Sequence, residues 1–185
     1  MATYEIIIAG FGGQGVLSMG KIIAYSGLVE GKEVSWMPSY GPEQRGGTSN
    51  VTVIVSDDKV NSPVLNQYDI VIALNQPSVD KFAPKVKKGG TLFYDPNGIH
   101  HVTDRKDINI YEIPANDKSI EMGNEKSFNM IVLGGVLKVF PMVKMENVIN
   151  GLRKSLPERH HKLIPMNEQA IKIGMEVIKQ IQVAE

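Results

Sequence analysis

Two short segments of the chain carry groups at spacings that have chemical meaning. Gly10-Phe11-Gly12-Gly13-Gln14-Gly15 sets Gly10, Gly12 and Gly15 in the pattern G-x-G-x-x-G, after a β-branched run and before an apolar stretch. Backbone N–H groups and the helix dipole at such a strand-to-helix turn favour an anion. A bound dinucleotide also needs an Asp or Glu at the end of the next strand to hold its ribose. The sequence offers Pro38, Ser39 and Tyr40 there, and Glu30 and Glu33 come too early. Three readings of Gly10, Gly12, Gly13 and Gly15 therefore stay open: a nicotinamide or flavin site, a site for another anion or phosphate, and a tight turn that serves only the fold. The second segment, Ser39 to Gly47, packs Tyr40, Glu43, Gln44 and Arg45 between Gly41, Pro42, Gly46 and Gly47. A recognition loop at a sheet edge has this make-up. Arg45 can hold a carboxylate or phosphate through two hydrogen bonds, on a ligand or on a partner, or it can pair with Glu43 and only shape the loop.

Other groups support less. Gly15, Gly20 and Lys21 come close to the phosphate loop G-x-x-x-x-G-K, but Ile22 replaces the Ser or Thr that would hold Mg²⁺. His100-His101 and His160-His161 are adjacent pairs, and adjacent residues do not converge on one ion as i, i+4 pairs on a helix do, so no metal site is expected. Ser18, Ser39 and Ser49 lack a G-x-S-x-G elbow, and no catalytic residue is assigned. The basic cluster Arg153, Lys154, Arg159 and Lys162 reads most simply as a solvated surface, with an acidic partner protein as the second reading.

The elements that must position these groups follow from periodicity and breakers. Tyr4 to Ala9 predicts a strand, Val16 to Val29 a buried helix closed by Gly31, and Glu33 to Met37 a second strand parallel to the first. No helix separates Met37 from the β-branched run Thr48 to Val55, so those flanking strands are expected to be antiparallel and the sheet mixed. Further strands are predicted at Ile70–Leu74, Thr91–Tyr94 and Ile108–Ile113, the last followed by a polar loop. A helix should run from Gln76 to a stop at Gly89-Gly90, and another from Phe128 to Val139. Two amphipathic helices should close the chain, the second presenting Ala170, Ile171, Gly174, Ile178 and Ile181 on one face. The expectation is one α/β domain over residues 1–185, Rossmann-like, with three α/β/α layers and a mostly parallel sheet.

Composition narrows the function. Twenty basic residues balance twenty acidic ones in 185, which removes the charge footprint of a nucleic-acid binder. The absence of cysteine excludes disulfides, thiolate zinc sites, cysteine nucleophiles and cysteine-held iron–sulfur clusters together, so any redox centre must sit on another chain. MATYEIIIAG reads as a strand and not as a signal peptide, and no apolar run has a bilayer-spanning length. A cytoplasmic protein without membrane contact is expected.

GFGGQGV and SYGPEQRGGTSNVTVIVSDD together resemble the gamma subunit of 2-oxoacid:ferredoxin oxidoreductases, and SPVLNQYDIVIALNQPSVDKF and GGTLFYDP extend the similarity over most of residues 4–96. The resemblance implies a subunit of a complex that oxidatively decarboxylates a 2-oxoacid to an acyl-CoA and reduces ferredoxin. Thiamine diphosphate, Mg and Fe–S clusters would then sit on the alpha, beta and ferredoxin-like delta subunits. It further implies that Gly10, Gly12, Gly13 and Gly15, and the loop carrying Tyr40, Glu43, Gln44, Arg45, Gly46 and Gly47, face partner subunits or CoA. 2-Oxoglutarate and 2-oxoisovalerate (ketoisovalerate) rank equally as substrates, with pyruvate behind. The isolated chain should be inactive, and a homodimer is expected where surfaces meant for partners stay exposed. The competing reading is a stand-alone dinucleotide-dependent Rossmann oxidoreductase.

Overall fold

The computed structural model describes residues 2–40 and 48–185. The strands are β1 (Thr3–Phe11), β2 (Glu33–Tyr40), β3 (Thr48–Ser56), β4 (Tyr68–Ala73), β5 (Val86–Tyr94), β6 (Asn109–Glu112) and β7 (Lys179–Gln182). The helices are α1 (Val16–Val29), α2 (Gln76–Phe82), α3 (Ala115–Glu121), α4 (Phe128–Val139), α5 (Met145–Ser155) and α6 (Ile164–Val177). Among the described residues the strands form one sheet in the order β2-β3-β1-β4-β5-β6-β7. β1, β4, β5 and β6 are mutually parallel, while β3 is antiparallel to both β1 and β2, and β7 to β6. The expected mixed, mostly parallel sheet is present. The first two strands do run the same way, but β3 lies between them.

β1 is apolar on both faces because both are covered. Ile6 and Ile8 pack with α1, α4, α5 and α6, whereas Ile7 and Ala9 pack with Val79 and Phe82 of α2. The three layers are therefore uneven, with α1, α3, α4, α5 and α6 on one side and α2 with its flanking loops on the other. α1 ends as its sequence predicts. Gly31 takes φ 74°, Lys32 N–H donates to Gly27 O at 3.0 Å and Gly31 N–H to Leu28 O at 3.0 Å, so the last carbonyls are satisfied by a left-handed cap.

Three expectations need correction. Gly89-Gly90 does not end a helix: α2 stops at Phe82, a 3₁₀ turn with Pro84 follows, and the glycines lie inside β5 where its register with β4 shifts. Gly89 adopts φ 75° in that irregularity. Ile178 and Ile181 do not continue the face of α6. The helix ends at Val177, and Ile181 lies in edge strand β7 with 54% of its surface exposed. The segment after Ile113, read as a polar loop, contains α3.

α4 and α6 cross at unusually short range. A Cβ added to Gly134 would stand 1.9 Å from Ile171 O, and one added to Gly174 would stand 1.9 Å from Ile131 O. The reciprocal pair lets the two backbones touch, a spacing that any side chain would forbid.

Candidate functional site at the carboxyl edge

Parallel pairing of β1 with β4, from Ile6 opposite Ile70 to Ala9 opposite Ala73, brings the glycine turn beside the end of β4. The chain leaves β1 into α1 on one face of the sheet and leaves β4 into α2 on the other. Such a divergence opens a crevice at the carboxyl edge, where doubly wound sheets bind ligands.

Gln14 spans that crevice. Its Oε1 accepts from Phe11 N–H at 2.7 Å and its Nε2 donates to Leu74 O at 2.9 Å, so one side chain joins the turn to the end of β4. Gly13 and Gly15 have φ of 98° and 74°. Gly10 is required for space, since a Cβ there would meet Gln14 Oε1 at 2.5 Å. Gly12 and Gly13 form the exposed tip. Gly15 opens α1 without a side-chain cap, and Asn129 of α4 donates from Nδ2 to its carbonyl at 3.4 Å. A Cβ on Gly15 would collide with that amide at 2.4 Å.

Gly13 and Gln14 border a cavity of about 180 Å³ shared with Asp95, Asn97, Asn116 and Ser119. Asp95, 1% exposed at the end of β5, accepts from Asn97 N–H and from Asn116 N–H, each at 2.7 Å. Burial pushes its carboxyl above the ordinary carboxylate range, against the opposing pull of the Asn116, Asn97 and Ala115 N–H groups. Asn75 follows β4 and is 5% exposed. Its Oδ1 accepts from Ser78 N–H at 2.8 Å, while its Nδ2 meets no hydrogen-bond partner among the described residues. Sequence reasoning missed Asp95, Asn75 and Asn129. Only the position of Asp95 and Asn75 just beyond apolar strand runs could have signalled them.

The second segment is bracketed by described residues. Tyr40 pairs with Ser49, Ser49 with Gly10, and Thr48 with Phe11, so three strands bring both ends of the loop beside the glycine turn. Glu43, Gln44, Arg45, Gly46 and Gly47 lie outside the described residues. Gly20 sits inside α1, where a Cβ would meet Val51 at 2.7 Å, and Lys21 is exposed on the same helix, so the near-match to a phosphate loop is helix and not loop. His161 Nε2 contacts the Arg153 and Leu156 carbonyls at 2.9 and 3.0 Å, and His101 Nε2 lies 3.7 Å from Asp104. Among the described residues no group of three or more His, Asp or Glu side chains is placed to hold a metal. No helix there is long and apolar enough to cross a membrane.

The fold and site define a doubly wound α/β domain whose glycine turn differs from a dinucleotide turn in two respects. Its Phe11 N–H is taken by Gln14, and β3 displaces the end of β2 by one strand, so that β2 stands about 10 Å from β1. The dinucleotide reading is not favoured. The chain matches the family model for pyruvate ferredoxin/flavodoxin oxidoreductase over residues 5–177, and it belongs to that family. It is 31% identical over 182 residues to the 2-oxoglutarate synthase subunit KorC of Methanocaldococcus jannaschii, covering 96% of this chain and 95% of that one. It is 37% identical over 172 residues to the ketoisovalerate oxidoreductase subunit VorA of Methanothermobacter thermautotrophicus, covering 93% of this chain but 36% of that protein. The chain thus spans about a third of the length of the VorA relatives it matches, 27% and 36% in two of them. The gamma subunit of a keto/oxoacid ferredoxin oxidoreductase from Geobacter sulfurreducens PCA superposes with a TM-score of 0.81 at 30% identity, covering 96% of this chain and 97% of that one.

Proposed function

We propose that the chain is the gamma-type subunit of a 2-oxoacid:ferredoxin oxidoreductase, supporting assembly and the active centre while thiamine diphosphate and the Fe–S clusters sit on partner subunits. The observation that carries this reading is a family match over residues 5–177 in a chain without cysteine. Fe–S clusters are held mainly by Cys thiolates, so this chain cannot hold one in the ordinary way. The glycine turn and the loop from Tyr40 to Gly47 are the surfaces we assign to the partner subunits or to CoA. Support comes from the register that sets Tyr40, Ser49 and Gly10 side by side at the carboxyl edge, and from Arg45 as a group suited to a phosphate or carboxylate. 2-Oxoglutarate and ketoisovalerate remain equal candidates, in line with the KorC and VorA relatives.

Purification of the tagged chain from anaerobic lysate of its source tests the proposal, followed by mass spectrometry and a 2-oxoacid- and CoA-dependent viologen-reduction assay. Recovery of cysteine-rich and thiamine-binding partners with activity is expected. The chain alone with tight NAD(H) binding would overturn the reading. Within an active complex, Arg45→Ala should alter assembly or the CoA dependence; unchanged values in both would remove the loop from the assignment.

A further inference from the structure

Beneath the start of α1, a cavity of about 310 Å³ lies among α1, α4, α5 and α6. Ile22, Met130 and Leu152 are buried beneath it, and Leu156, Leu163 and Met166 form its apolar sides. Leu163 keeps 37% of its surface exposed. Large side chains left open around a concavity mark an interaction surface more often than a packing defect.

The rim is cationic. Lys126 lines the cavity itself, Arg153 and Lys154 occupy the last turn of α5, and Arg159 and Lys162 lie in the 3₁₀ segment Glu158–Leu163. All five are exposed, and none takes part in an ion pair among the described residues. From Lys144 to Leu163 five basic residues stand against Glu146 and Glu158 in a chain whose net charge is zero. Glu168 of neighbouring α6 is already held by Lys172 at 2.9 Å. Compensation of the α5 dipole accounts for Arg153 and Lys154, but not for Arg159, Lys162 or Lys126.

The rim is also held in place. His161 Nε2 lies 2.9 Å from Arg153 O and 3.0 Å from Leu156 O, and a nitrogen between two carbonyl oxygens must carry the proton and donate to both. That contact ties the 3₁₀ segment to the end of α5, so the cations and the apolar walls are presented together. A fixed apolar groove edged by unpaired cations matches one chemistry: apolar anchors flanked by carboxylates.

We propose that this groove docks an acidic amphipathic segment of a partner protein, with an aliphatic or aromatic side chain in the cavity and Asp or Glu side chains on the rim. The cavity shares Asn129 with the base of the glycine turn, but the cationic rim lies outside that turn and its test needs no other subunit, so its failure is distinct from failure of the proposed function.

The purified full chain is titrated by fluorescence anisotropy with a short labelled helical peptide carrying Leu and Phe on one face and Glu on the other. A second peptide replaces each Glu by Gln, and phosphatidylserine vesicles form a third arm. The acidic peptide should bind at least about tenfold more tightly than the Gln peptide at low salt, and the gap should shrink at high salt. Arg159→Glu with Lys162→Glu should abolish the gap. Leu163→Ser, at a site exposed enough to preserve the fold, should weaken both peptides at either salt. Lys85→Glu, on the opposite face of the sheet, should change nothing. Equal affinity for the two peptides, binding to neither, undiminished binding by the charge-reversed variant, or binding to vesicles in preference to peptide would each overturn the proposal.

Discussion

Replacing Gly174 by alanine tests whether the close crossing of α4 and α6 is required by the fold. The added Cβ would lie 1.9 Å from Ile131 O, whereas ordinary contact begins at 3.4 Å, so the helices must part locally by about 1.5 Å. The crossing is flanked by Ile131, Leu133, Ala170 and Ile171, all at 0–1% exposure, and a gap of that size forfeits much of their mutual dispersion. Overpacking alone costs about 1–3 kcal/mol, and the added separation raises the expected total to about 3–5 kcal/mol. Alanine's better helix propensity offsets about 1 kcal/mol of this. Equilibrium urea unfolding of the isolated chain should show the midpoint lowered with m unchanged, and melting should fall by about 10 °C. Gly134→Ala meets Ile171 O at the same 1.9 Å and should match it. Gly31→Ala is the control: φ is 74° but no atom lies within 4 Å, so only the left-handed cost of about 1–2 kcal/mol applies. A loss below about 1 kcal/mol for both Gly134→Ala and Gly174→Ala would refute the steric account.

Gln14→Ala should destabilise the chain by about 1–3 kcal/mol, read by thermal melting, because Phe11 N–H and Leu74 O lose their partner together. Gly15→Ala should cost more than Gly31→Ala because the collision with Asn129 adds to the same φ of 74°. Adding Asn129→Ala should recover that excess in a double-mutant cycle, and additive losses would argue against the contact. Asp95 carries a raised folded-state pKa, so the native state binds more protons than the unfolded chain above the ordinary value of 3.8, and stability falls as pH rises through the raised value. Asp95→Asn removes that titration, so its stability should decline less over that window than that of the unmodified chain, in chemical denaturation across pH.

β1, the glycine turn and α1 were legible because glycine at a fixed spacing between a β-branched run and an apolar helix has few alternatives. The antiparallel relation of β2 and β3 followed from the absence of any helix between them. The insertion of β3 beside β1 did not, since it depends on pairing from Thr3 with Ser56 to Phe11 with Thr48, which no local pattern records. Gly89 misled because glycine marks both helix stops and strand irregularities. Ile178 and Ile181 misled because two apolar residues three apart fit the end of a helix. In the candidate site, Gly10 to Gly15 and the loop that begins at Tyr40 stand out in the sequence by glycine spacing and loop composition. The acceptor and donor set of Asp95, Asn75 and Asn129 does not, because Asp95 reaches 21 residues to Asn116 and Asn129 reaches 114 back to Gly15.

The Gln14 bridge also bears on the order in which the molecule assembles. Phe11 is three residues from Gln14, but Leu74 is 60 residues downstream, and β1 acquires its parallel neighbour only when β4 arrives. A nascent chain ending before β4 therefore lacks half of the clamp, the Leu74 carbonyl, although Phe11 and Gln14 are both already present. Closing so wide a loop is slow compared with forming α1. Protection of the Phe11 amide in pulsed hydrogen exchange should consequently lag behind that of the α1 amides and rise with those of β4, making the turn a marker of completion at the centre of the sheet.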